Sequence, residues 1–196
     1  MQQRSKLPLL ARALGTLALV AYPLLVWRGL ATGSPRQIAL VLLALLVPTT
    51  YLRRRSEQQA ETGSLMIIPL VTIVCLGLAS ALNRQGFILL VPVAINLVFL
   101  GSFGATLRAG ARPMIERFAR LQEPDLPVDK QAWCRLWTKI WCVFFVLNGA
   151  AAGLLAWLAP LEWWAFYTGL LAYILSGVLL GGEWLLRRRR FQAGSA

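Results

Sequence analysis

The chain has 196 residues, 58% hydrophobic and only 14% charged, with mean hydropathy +0.62. Soluble domains hold about 45–50% apolar and about 25% charged residues, so a water-soluble globule is excluded and the bilayer becomes the expected solvent. The net charge of +12 does not mark a nucleic-acid binder, because Lys and Arg flank apolar runs, and the absence of histidine removes the commonest general base and metal ligand.

A helix needs about 20 residues to cross a hydrocarbon core about 30 Å thick. Six apolar segments approach that length, near residues 9–30, 36–52, 64–82, 87–107, 136–158 and 161–186. The expected fold class is therefore all-α: a polytopic membrane protein of about six transmembrane helices, one domain over 1–196. Arg4, Lys6 and Arg12 precede the first segment, but no small-residue cleavage site follows it, so it reads as a retained span. Pro48, Pro69 and Pro92 are expected to kink their helices, with neighbouring side chains filling the gaps.

Basic residues test the helix count, since cytoplasmic loops carry the excess of Lys and Arg. One side receives Arg4, Lys6, Arg12, Arg53–Arg55, Arg108, Arg112, Arg117, Arg120, Lys130, Arg135, Lys139 and Arg187–Arg190, while the other receives Arg28, Arg36 and Arg84. Seventeen against three, of 20 in all, fits six spans with both termini in the cytoplasm.

The longest hydrophilic stretch, 108–131, is too short to fold alone and reads as a cytoplasmic interfacial loop. Within Pro113–Gln122, the residues Met114, Ile115, Phe118 and Leu121 recur at helical spacing, with Arg117 and Arg120 off that stripe. This predicts a short amphipathic helix on the inner leaflet between the fourth and fifth spans, begun by Pro113 and ended by Pro124 and Pro127. Arg112 joins those residues as a candidate docking surface.

In the fifth span Gly149 and Gly153, and in the sixth Gly177 and Gly181, have the spacing that lets helices approach closely. They predict a contact between these two spans, or a dimer. Trp27, Trp133, Trp137, Trp157, Trp163, Trp164 and Trp184 lie near helix ends, as an interfacial belt requires. Cys75, Cys134 and Cys142 form no Cys-x-x-Cys pair, so neither metal nor disulfide is expected, and nothing implies a cofactor.

Polar groups inside lipid are costly and become site candidates by default. Asn96 lies mid-span in the fourth helix and Asn148 mid-span in the fifth. They either bond each other as helix glue or share a cavity that recognises a headgroup or a carbonyl. Tyr173 and Glu183 complete the candidate set. Glu183 stands four residues before Arg187, the spacing of a helical ion pair, and Glu162 reads as a solvated cap on the outer side. No phosphate loop, metal cluster or nucleophile elbow is present.

Arg112-Pro-Met-Ile-Glu-Arg117, followed by Leu126-Pro127, Trp133, Trp141, Phe144-Phe145, Asn148 and Trp163, resembles the bacterial intracellular septation protein A family across about residues 108–180. The resemblance implies a bacterial inner-membrane protein of cell-envelope upkeep and septal or lateral wall synthesis, acting through lipids or membrane partners. A divergent branch resembles the membrane component of aryl polyene pigment gene clusters, and would bind or route acyl lipids.

Three functions are thus expected in order. The first is a non-enzymatic envelope protein docking through Arg112–Leu126, with membrane lipids, membrane proteins or a second copy as partners. The second is an acyl-lipid or polyene assembly factor using a cavity lined by Asn96, Asn148 and Tyr173. The third is a small transporter.

Overall fold

The computed structural model describes residues 22–56 and 67–192. The basic residues Arg4, Lys6 and Arg12 and the apolar residues 9–21 lie outside that range. Among the described residues every regular element is helical: α1 (22–32), α2 (Pro35–Ser56), α3 (Ile67–Leu82), α4 (Gln85–Leu89), α5 (Val91–Ala105), α6 (Met114–Arg120), α7 (Val128–Leu158), α8 (Leu161–Phe166) and α9 (Ala172–Gln192). A π turn, Tyr167–Leu171, joins α8 to α9.

Three stretches are long and apolar enough to cross a membrane: Gln85–Ala105, Val128–Leu158 and Leu161–Phe191. Pro35–Pro48 and Ile67–Leu82 are apolar but shorter. The outward faces of the three long stretches carry Leu97, Leu147 and Val178, each more than 60% exposed. Contiguous apolar surface of this kind is unfavourable in water and ordinary against lipid; the chain is a membrane protein.

Local sequence explains the turns. Ser34 and Gln37 satisfy each other's backbone N–H groups at the start of α2, a capping box with Pro35 at the first helical position. Asn83 adopts a positive φ of 51°, and its side-chain oxygen accepts from the Arg36 N–H. The α1–α2 and α3–α4 turns are thereby tied together at one end of the bundle.

The span expected over 87–107 is broken at Leu90, and the cause is Pro92. Proline has no N–H, so the carbonyl of Ile88 loses its helical partner. The Tyr22 hydroxyl donates to that carbonyl, and the Trp164 indole donates to the Leu89 carbonyl at 3.2 Å. Two side chains from distant elements thus repair a proline break, and their rings meet edge-on with centroids 6.4 Å apart. Around them Val26, Ala39, Leu76, Ile88 and Val91 form the main core.

A second core is aromatic. Phe103, Met114 and Phe145 are buried with Phe99, Trp141 and Phe144 beside them, and Phe99 stacks on Phe145 at 5.1 Å. It joins α5, α6 and α7. The seventh helix begins at Val128, eight residues before the expected 136, because Pro127 supplies the helix start and the amphipathic turns that follow pack on α6.

The glycine notch has a different partner from the one expected. Gly149 and Gly153 face α5, where a Cβ at Gly149 would lie 3.0 Å from the Cβ of Asn96 and one at Gly153 would lie 3.5 Å from Val93. Gly177 and Gly181 have nothing within 4 Å of such an atom. The small residues Gly149 and Gly153 of α7 therefore serve contact with α5, not with α9, because the side of α7 that faces α9 carries the bulky Trp137, Phe144 and Leu147.

Candidate functional site

Close approach at Gly149 brings Asn96 and Asn148 within hydrogen-bonding range across the α5–α7 contact. The Asn96 Nδ2 donates to the Pro92 carbonyl at 2.8 Å, and the Asn148 Nδ2 donates to Asn96 Oδ1 at 3.1 Å. Tyr167 then donates its hydroxyl to Asn148 Oδ1 at 2.9 Å. The direction of this relay is determined at its end. A carbonyl only accepts, so Nδ2 of Asn96 must face Pro92, which turns its oxygen towards Asn148 and leaves the Asn148 oxygen for the phenol.

Each amide NH₂ carries two donors, and the relay uses one from each. One N–H of Asn96 and one of Asn148 thus remain available to an acceptor. Both residues border a cavity of about 200 Å³ whose remaining wall is chiefly apolar, including Leu42, Leu76, Ile95 and Phe145. The Thr and Ser hydroxyls at that wall are turned back on nearby carbonyls, Thr72 to Ile68, Thr168 to Trp164 and Ser176 to Ala172, all at 2.7–2.9 Å, and the Tyr22 hydroxyl is taken by the Ile88 carbonyl. The relay is consequently a directed polar feature of a largely apolar chamber.

Tyr167 was not among the residues the sequence singled out. The π turn it opens is the reason it reaches Asn148, since the wider turn displaces its side chain from a regular helical register. A phenol mid-way along an apolar segment was the available signal. Gly169 in the same turn lies against Pro23, leaving only 3.2 Å for a Cβ, so α1 closes tightly over it. Tyr173 lies on the cavity wall and is 44% exposed.

Glu183 is far from this chamber. It is buried, accepts from the Trp133 indole at 3.2 Å and pairs with Arg187 at 3.4 Å. The Trp133 ring is itself covered by Arg190 and meets Phe191 edge-on at 6.0 Å. These contacts fasten the end of α9 to α7.

The candidate docking residues divide into two groups. Met114 is buried and Ile115 half-buried, with their N–H groups accepted by the hydroxyls of Thr106 at 2.9 Å and Thr138 at 3.3 Å. Arg120 pairs with buried Glu116 at 2.8 Å and donates to the Pro124 carbonyl at 2.7 Å. Arg112, Arg117, Phe118 and Leu121 are exposed. One face of α6 is therefore an anchor, and the other presents Arg117 and Phe118 outward, flanked by Arg112 and Leu121.

Compared with family models, curated proteins and solved structures, the chain matches none.

Proposed function

We propose that this protein is a non-enzymatic, multi-pass protein of the bacterial inner membrane that binds an acyl lipid in the service of cell-envelope upkeep. The observation that carries this reading is the Tyr167–Asn148–Asn96 relay beside an apolar cavity of about 200 Å³. Its spare amide donors suit a carbonyl on a hydrocarbon chain. Amides and a phenol supply hydrogen bonds without a ready acid–base pair, which is binding chemistry. The resemblance to septation proteins points to the same compartment and role.

In this reading the chain has about six spans with both termini cytoplasmic. Three long apolar helices, two shorter ones and the lopsided distribution of Lys and Arg support it. The exposed side of α6 then meets the inner leaflet or a membrane-protein partner through Arg117, Phe118 and Leu121. Single cysteines in a background lacking Cys75, Cys134 and Cys142 test the orientation. Arg36→Cys should react with a membrane-impermeant maleimide in intact spheroplasts, and Arg117→Cys only after the membrane is opened. The reverse pattern would discard this orientation.

Lipid extraction from the purified full chain, followed by mass spectrometry, tests the binding role. The wild type should retain acyl lipid stoichiometrically, and the paired Asn96→Leu/Asn148→Leu variant should retain about tenfold less, as expected for losing one or two hydrogen bonds. Removing both amides together leaves neither amide without its partner, while the Tyr167 hydroxyl loses its acceptor, so thermal stability is measured beside lipid retention. A wild-type protein with no lipid above the detergent background would overturn the proposal.

A further inference from the structure

Depth limits the kind of carbonyl that the relay can meet. The apolar stretch Gln85–Ala105 has 21 residues and rises about 30 Å at about 1.5 Å per residue, the thickness of a hydrocarbon core. Asn96 stands about 16 Å from its first residue and about 14 Å from its last, at the middle of that core. Asn148 is bonded to it at 3.1 Å and lies about 15 Å from the end of its own span at Leu158. The spare amide donors are therefore level with the plane where the two leaflets meet. The ester carbonyls of a phosphoglyceride lie outside the hydrocarbon, about 15 Å away.

The cavity wall offers nothing to a charge at that depth. Among the described residues that border it, none is Asp, Glu, Lys or Arg, and the pairs Arg120–Glu116, Lys130–Glu123 and Arg187–Glu183 all lie elsewhere. A phosphate or carboxylate drawn in would lose its hydration without gaining a cation, which is strongly unfavourable. An ester carbonyl carries no charge and no proton that needs an acceptor, and its oxygen has lone pairs for two donors. Of the side chains that line the cavity, Leu45 of α2 and Tyr173 of α9 are exposed, so the hydrocarbon of a ligand has a way out to the bilayer past them.

We infer that the cavity takes an uncharged acyl ester, such as an acylglycerol or a simple fatty-acid ester. Its carbonyl oxygen accepts from the spare N–H groups of Asn96 and Asn148, and its hydrocarbon leaves past Leu45 and Tyr173. The inference rests on the acyl-lipid reading and names the class within it: neutral esters, in preference to phosphoglycerides and fatty-acid anions. Only a lipid without a charged head brings its carbonyl to the midplane without dragging that head into hydrocarbon.

Nuclear magnetic resonance of the full chain in dodecyl maltoside, labelled with ¹⁵N-asparagine, provides the test. The sequence has three asparagines, Asn83, Asn96 and Asn148. Methyl oleate should shift the side-chain amide resonances of Asn96 and Asn148 and leave that of Asn83, in the turn after α3, unmoved. This readout uses the unsubstituted protein and depends on no variant folding. As competitors against bound methyl oleate, octadecene, which has no acceptor, should be needed at about fivefold higher concentration than unlabelled ester. Oleate, ionised at about pH 9, and dioleoyl phosphatidylglycerol should each be needed at about tenfold higher concentration or more. Displacement by oleate or phosphatidylglycerol as readily as by methyl oleate overturns the neutral-ester assignment and leaves the acyl-lipid reading standing. Unmoved Asn96 and Asn148 resonances, in protein that retains acyl lipid through purification, overturn the carbonyl placement alone. No retained acyl lipid and no shift with any probe overturn both.

Discussion

Replacing Gly149 with leucine should destabilise the detergent-solubilised protein by about 3 kcal/mol, the upper part of the range for overpacking. The nearest atom a new side chain would meet is the Cβ of Asn96, 3.0 Å away. A Cβ is fixed to the backbone and cannot swing aside, so α5 and α7 must separate. Separation also breaks the 3.1 Å Asn148–Asn96 bond, so lipid retention should fall in parallel. Gly177→Leu is the matched control. Nothing lies within 4 Å of its added Cβ, both sites gain helix propensity alike, and its effect should stay within about 0.5 kcal/mol. Thermal unfolding followed by circular dichroism reads both variants. Equal stabilities would mean that α5 and α7 do not depend on the notch.

Arg120→Ala should cost about 2 kcal/mol, whereas Arg117→Ala should change stability by less than about 0.5 kcal/mol. The sequence treats the two arginines alike, both off the apolar stripe of one short helix. Their surroundings differ. Removing Arg120 leaves the Glu116 carboxylate, whose side chain is 7% exposed, without its ion-pair partner and takes a donor from the Pro124 carbonyl. A fully buried pair broken on one side loses about 3–5 kcal/mol. Arg120 is itself 23% exposed, and water reaching it reduces the loss. Arg117 donates to the Arg112 carbonyl at an exposed position. In a double-mutant cycle, Glu116→Gln with Arg120→Met should show a coupling of about 1–2 kcal/mol. No coupling would identify the pair as incidental. For the docking role, charge reversal belongs at Arg112 and Arg117, since reversal at Arg120 perturbs the fold of α6 along with its surface.

The proline break shows where reading from sequence stops. Pro92 announces a carbonyl without its helical donor, and the expectation that side chains would fill such a gap follows from lipid's inability to do so. Which side chains fill it is decided by Tyr22 and Trp164, 66 and 75 residues from the carbonyls they serve. The same division holds for the Glu183–Arg187 pair, legible from its four-residue spacing, and for Trp133, whose bond to Glu183 spans 50 residues.

Composition and apolar run length by themselves determined the medium and the all-helical class, because the cost of placing each residue in lipid and of leaving its backbone unpaired there is local and sums along the chain. They also placed two amides in the interior. Only the tertiary structure decided that the Gly149 notch receives α5, that a π turn brings Tyr167 into line with Asn148 and Asn96, and that α6 is anchored through Glu116 and Arg120. Those outcomes depend on which surfaces meet at close range, a property of helix packing that periodicity within one helix does not contain.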